Sequence, residues 1–150
     1  MNILGSTIEE IAENKFGIIR EGNLVIHGPL PMAVMPLLES TLQQFRARAL
    51  GVGPAESELE ANRPFPRYIL KSPWGRAPLS LLGARAAQNS LLALRTFEAL
   101  GFDPNEALRV LDTVTWPARL SRLGGNHRAP VYLSGDHNVQ GIESLVEILQ

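Results

Sequence analysis

Pro130-Val131-Tyr132-Leu133-Ser134-Gly135-Asp136-His137-Asn138 reads as a short apolar strand running into a polar turn that contains glycine. After the turn, Ile142, Leu145, Val146, Ile148 and Leu149 recur at the spacing of one helix face. A strand, a polar turn and a helix in that order form the building unit of α/β folds. The unit presents functional groups at the carboxyl end of its strand. Residues 131–133 carry no charge, so the strand is expected to be buried.

Upstream, the same logic alternates helix and strand. Ser6 or Thr7 can cap a helix with Glu9 and Glu10 in its first turn, Ile8, Ile11 and Ala12 on one face, and Gly17 near its end. Glu21-Gly22-Asn23 is a turn, and Leu24-Val25-Ile26 a strand closed by Gly28-Pro29. Residues 31–49 read as helical with Leu37, Leu38, Thr41, Leu42 and Phe45 inward, provided the regular helix starts near Pro36. Residues 51–66, with their glycines, prolines and acidic side chains, read as a loop. Residues 68–70 and 77–82 are strands about the turn Ser72-Pro73-Trp74-Gly75. A helix rich in Ala and Leu fills 84–100 and stops at Gly101. Asp103-Pro104 opens another as cap and first residue, with Glu106 completing a box-like pattern, and it should run to Val114. Gly124-Gly125-Asn126-His127 reads as a hinge. The expected class is α/β with a mixed or parallel sheet: residues 1–123 one unit, 124–129 a linker, 130–150 the first strand and helix of another domain.

Composition narrows the function. The 150 residues suffice for a real core, and 14 basic against 15 acidic side chains give no bulk attraction to nucleic acid or acidic membranes. The absence of cysteine excludes thiol catalysis, thiolate zinc sites and disulfides. No apolar run approaches a membrane span, and residues 1–10 lack the basic and apolar regions of a secretory signal. The expected location is therefore cytoplasmic. No P-loop pattern, H-E-x-x-H, G-x-S-x-G or Rossmann glycine spacing occurs.

The candidate chemistry lies at Asp136, His137 and Asn138: a carboxylate, an imidazole and an amide at a helix start, suited to a phosphate, a ribose or another polar ligand. Asp and Asn are equally common as plain helix caps. Arg119, after Trp116-Pro117, is a loop arginine or a phosphate clamp. Asn89 is a solvated or capping amide near a helix start, Lys15 a cation at the negative end of a helix, and His27 a strand-end residue with no assigned role.

Four blocks together resemble the folylpolyglutamate synthase and dihydrofolate synthase family of the Mur ligase superfamily. The first runs from Ile3-Leu4-Gly5-Ser6-Thr7 through Lys15-Phe16-Gly17-Ile18-Ile19 to Gly28. The second is Leu81-Leu82-Gly83 with Gln88-Asn89. The third is Trp116-Pro117-Ala118-Arg119-Leu120, similar to the family's WPGRLE. The fourth is Leu133-Ser134-Gly135-Asp136-His137-Asn138 with Gly141-Ile142, similar to LDGAHN--GI. The resemblance implies the later half of a Mur ligase-like central domain followed by the start of a C-terminal domain. It further implies ATP and Mg2+ as cofactors, and folate and glutamate as the parent family's substrates. In that chemistry ATP phosphorylates a carboxylate, and glutamate's amine then attacks the acyl phosphate.

By the same resemblance Lys15 matches a lysine carried as a carbamate near the metal. Asn89 matches a residue near adenine, Arg119 one that contacts phosphate, and His137 and Asn138 an ATP-contacting turn. There are departures. Ser134 stands where the family has aspartate, Asp136 where it has alanine, Ala86 where it has glutamine, and Phe16 where it has the alanine after the lysine. With no P-loop to cradle the phosphates, the chain alone is expected to lack synthase activity. It would be a truncated ligase that needs its missing half. The rival expectation is a non-catalytic binding or assembly module with a vestigial nucleotide pocket, associating with a partner or a second copy by swapping the segment after Gly124-Gly125.

Overall fold

In the computed structural model, which describes residues 5–61, 67–125, 128–136 and 139–149, Thr7 caps helix α1 (Ile8–Phe16). The cap is a reciprocal box: the Glu10 N–H donates to Thr7 Oγ1 at 3.2 Å, and the Thr7 N–H donates to Glu10 Oε2 at 3.3 Å. Gly17 closes the helix. The chain divides into two compact units, the first ending at Gly53 and the second beginning at Pro54.

In the first unit, α1 packs against a 3₁₀ turn (Met32–Val34) and helix α2 (Met35–Gln44). Ala12, Ile19, Val34 and Leu38 are its buried apolar residues, while Ile8 and Ile11 are exposed. Strand β1 (Leu24–His27) pairs in parallel with β2 (Arg48–Gly51), Leu24 opposite Arg48. The helix expected over 31–49 therefore ends at Gln44. Arg46 adopts a left-handed φ of 46°, which breaks the helix, and the next residues satisfy their backbone groups on β1 instead. Pro36 sits in the first turn of α2, where its missing N–H costs nothing.

The second unit is built on a three-stranded antiparallel sheet of β3 (Glu56–Glu60), β4 (Arg67–Ser72) and β5 (Gly75–Leu79). Strand β3 corrects the loop expected over 51–66. Its acidic residues suggested a loop, yet Glu56, Glu58 and Glu60 alternate onto one face. There Glu58 pairs with Lys71 at 3.0 Å and with Arg76, and Glu60 with Arg67 at 2.7 Å. The hydrogen bond from Lys71, opposed by partial burial and aided by the charge of Arg76, holds the Glu58 carboxyl below its ordinary pKa. Helix α3 (Ala84–Ala99) packs on β4 and β3. Leu70, Ala87 and Leu94 are fully buried and Ile69, Ala77, Leu79 and Leu91 nearly so. Burying Leu70 and Leu94 stabilises the unit by about 2 kcal/mol each.

Asp103 caps helix α4 (Pro104–Leu108), and the hydrogen bond from the Asn105 N–H at 2.9 Å lowers its carboxyl pKa. The helix does not reach Val114 as expected. It ends at Leu108, and a 3₁₀ turn (Leu111–Thr113) follows. The N–H and hydroxyl of Ser80 bond to this region: the N–H to the Leu111 carbonyl at 3.4 Å, the hydroxyl to the Val114 carbonyl. Strands β6 (Ser121–Gly125) and β7 (Pro130–Leu133) then form an antiparallel pair with an irregular register between Arg122 and Gly124, and helix α5 (Val139–Leu149) follows. Gly124 and Gly125, expected in a hinge, lie in the paired strand; Asn126 and His127 fall outside the described residues. The expected burial of β7 fails as well, because Val131 is 52% and Leu133 45% exposed.

The class is α/β, as expected. The strands of the described residues form three small sheets, only one of them parallel, rather than a single mixed or parallel sheet.

Candidate functional site

Two turns of the second unit are locked together. The Arg119 N–H closes a turn on the Trp116 carbonyl at 3.2 Å, and the Ser121 hydroxyl reaches the same carbonyl at 3.2 Å. Ala118 and Leu120 flank Arg119 with φ of 59° and 51°. A left-handed conformation costs a residue with a Cβ roughly 1–2 kcal/mol, so it persists only where the surroundings dictate it. Here the dictating contact is the Gly135 N–H, which donates to the Ala118 carbonyl at 2.7 Å and joins residues 116–120 to the turn after β7. A Cβ at Gly135 would lie 3.3 Å from that carbonyl, so the close approach favours glycine.

The second turn has an internal lock. The half-buried Ser134 hydroxyl bonds to Asp136 Oδ2 at 2.5 Å, and a Cβ at Gly141 would stand 2.7 Å from Asp136 Oδ1. The carboxylate thus lies over the first turn of α5, where the positive end of the helix dipole favours it. Serine at position 134 and aspartate at 136 form a bonded pair. The two departures noted in the sequence are structurally coupled.

Gly83 sets the other wall. Its φ of 94° and ψ of 163° suit glycine alone, and an added Cβ would stand 2.5 Å from Ile148 Cδ1. Its missing side chain lets α5 press on the start of α3.

These walls enclose a cleft of about 470 Å³, of the size that takes small ligands. Leu81, Leu82, Ala86, Leu111 and Val114 give it an apolar lining, and Asn89, Arg119 and Asp136 are polar groups within it. The fold therefore brings together three of the residues singled out in the sequence, from three separate segments. His137 and Asn138 lie outside the described residues. Lys15 belongs to the first unit, exposed in the last turn of α1. Among the described residues no three His, Cys, Asp or Glu side chains cluster to hold a metal ion. Two further residues of the cleft have no role assigned from the sequence: Arg85, and Trp116, which is 61% exposed. Arg85 precedes Asn89 by four residues, the spacing that puts two side chains on one helix face, and that spacing was legible.

The cleft combines an apolar bed for a flat ring with donors and a carboxylate, which fits a nucleotide better than a purely apolar ligand. No helix among the described residues is long and apolar enough to cross a membrane.

No family model matches the chain. It is 32% identical to the dihydrofolate synthase/folylpolyglutamate synthase of Bacillus subtilis over its full length, and 29% identical to the dihydrofolate synthetase of Saccharomyces cerevisiae over 99% of it. The chain spans 37% of the length of each of these relatives. Among solved structures, Mycobacterium tuberculosis folylpolyglutamate synthase, complexed with ADP and AMPPCP, superposes with a TM-score of 0.77 at 25% identity. That match covers 99% of this chain and 36% of the other.

Proposed function

Because this chain is a partial relative of the folylpolyglutamate and dihydrofolate synthases, we propose that the cleft between α3, residues 116–120 and α5 is the adenine-nucleotide part of such a ligase. The supporting observation is the convergence of Asn89, Arg119 and Asp136 on one cleft, with the Arg119 and Asp136 segments joined by the Gly135–Ala118 hydrogen bond. In this reading the apolar bed and the Asn89 amide take the base, and the planar fork of Arg119 takes phosphate oxygens. Asp136, oriented by Ser134, accepts from a ribose hydroxyl. Bound ATP would supply a transferable phosphoryl group for activating a carboxylate. The parent reaction, ligation of glutamate to a folate, requires in addition a phosphate cradle and a metal site, and the sequence has no P-loop motif. The chain alone therefore binds nucleotide without ligating, and the cytoplasm, which supplies ATP, is compatible with this reading.

The test has two readouts. Millimolar ATP should raise the melting temperature of the 150-residue chain, since a ligand that binds only the folded state stabilises it. Incubation with ATP, magnesium, glutamate and a folate should yield no ADP above background. An unchanged melting temperature would sink the nucleotide reading, and glutamate-dependent ADP release would sink the claim of inactivity.

A second reading, an assembly module whose pocket is vestigial, is favoured by one observation. Val131, Leu133, Ile142 and Val146 are all roughly half exposed on the last strand and helix. Apolar surface of that kind marks an association site, either for the remainder of a ligase or for a second copy. A monomeric chain at micromolar concentration that also ignores added ligase fragments would remove this reading.

A further inference from the structure

We infer that Arg85 is a second anion-binding residue of the cleft, acting with Arg119 on the phosphate tail of a nucleotide; the inference rests on the nucleotide reading above. Arg85 lies in the first turn of α3, lines the same cleft as Asn89 and Arg119, and is exposed. In this unit Arg67, Arg76 and Arg95 are each paired with a glutamate, and Arg122 bonds to the Gly125 carbonyl at 2.8 Å. Among the described residues, the guanidinium groups of Arg85 and Arg119 have no hydrogen bond or ion pair. The carboxylate that shares their cleft, Asp136, is engaged by Ser134. Two cations against the single carboxylate of Asp136 leave a net positive charge in the cleft. A singly charged ligand leaves one of them unmatched, whereas a diphosphate or triphosphate has enough oxygens for two guanidinium forks. Ala86, next to Arg85 in sequence, is small and buried and lines the same cleft.

The experiment is calorimetric titration of the full 150-residue chain with ATP, adenosine and inorganic tripolyphosphate, in the wild type and in Arg85→Ala, Arg85→Lys and Arg95→Ala. Arg85→Ala should weaken ATP and tripolyphosphate about tenfold or more, the usual loss for a charge-assisted bond, and leave adenosine unchanged. Arg85→Lys should recover part of the affinity, because charge returns without the fork. Arg95→Ala removes the same charge away from the cleft and should have no effect. ATP binding that Arg85→Ala leaves intact overturns the inference while the nucleotide reading stands. Equal losses in Arg85→Ala and Arg95→Ala also overturn it, as bulk electrostatics. Tripolyphosphate binding that depends on Arg85, with ATP no tighter than tripolyphosphate, supports the anion site and defeats the nucleotide reading. A wild type that binds neither ATP nor tripolyphosphate ends both.

Discussion

Two parts of the second unit have the same ingredients and use them differently. The β3–β4–β5 sheet with α3 and the β6–β7 pair with α5 each offer apolar strand residues and an amphipathic helix. In the first, Leu70, Ala87 and Leu94 are fully buried. In the second, Leu133, Ile142 and Val146 are each about 45% exposed. An apolar stripe specifies a face; whether anything covers that face depends on the rest of the structure. The cleft lies where the closed part meets the open one, and α5 is held there through Gly83, Asp136 and Gly141.

The contrast can be broken first at its firm end. Leu94→Ala should cost about 2–5 kcal/mol in urea unfolding, the range for a truncated core leucine. A cost under 1 kcal/mol would mean that α3 is not closed over the sheet. Gly83→Ala probes the seam. With φ at 94° and Ile148 2.5 Å from the new Cβ, it should destabilise by about 2–4 kcal/mol and shrink the cleft. If Ile148→Ala relieves much of that cost, the contact is real; if it relieves none, α5 is not pressed against Gly83.

Ala118→Gly should act in the opposite direction. Relief of the left-handed strain outweighs the extra entropy of glycine in the unfolded chain, so a gain of about 0.5–1 kcal/mol is expected. A loss would show that the residue is not left-handed in solution.

The sheet's ion pairs give a pH signature. Glu58 has a lowered folded pKa, so its stabilising contribution is complete above the ordinary carboxylate pKa and fades as pH falls through the folded value. The advantage of the wild type over Glu58→Gln in urea midpoint should therefore shrink between pH 7 and pH 3. A constant or growing advantage would contradict the pairing with Lys71 and Arg76. The smallest effect belongs to the open end: Val146→Lys should change stability by no more than about 0.5 kcal/mol. A larger loss would reveal a covering surface in solution.

What was legible in the sequence follows the range of the interactions. The start of α1 at Ser6 or Thr7, the hairpin turn at Pro73-Trp74 and α3 are written within a few residues each, and the sequence announces them, though not which of the two hydroxyls caps α1. Strands β2, β3 and β6 were missed because their evidence is non-local. Arg48 to Gly51 continue a helical pattern until β1 claims them, Glu56 to Glu60 look like a solvated loop until Lys71 and Arg67 stand opposite, and Gly124-Gly125 looks like a hinge until β7 pairs with it. The candidate site was legible as residue types at Asn89, Arg119 and Asp136, with roles that came from resemblance. The lock between Gly135 and Ala118 was not legible, since a backbone hydrogen bond across 17 residues leaves no mark in residue type.

The most direct test of the nucleotide cleft is to follow the backbone amide resonances of the 15N-labelled chain during titration with ATP. The account predicts shifts concentrated at Leu82, Asn89, Arg119, Gly135 and Asp136, saturating together with one dissociation constant. Shifts absent up to millimolar ATP, or centred on residues remote from this cleft, would contradict it.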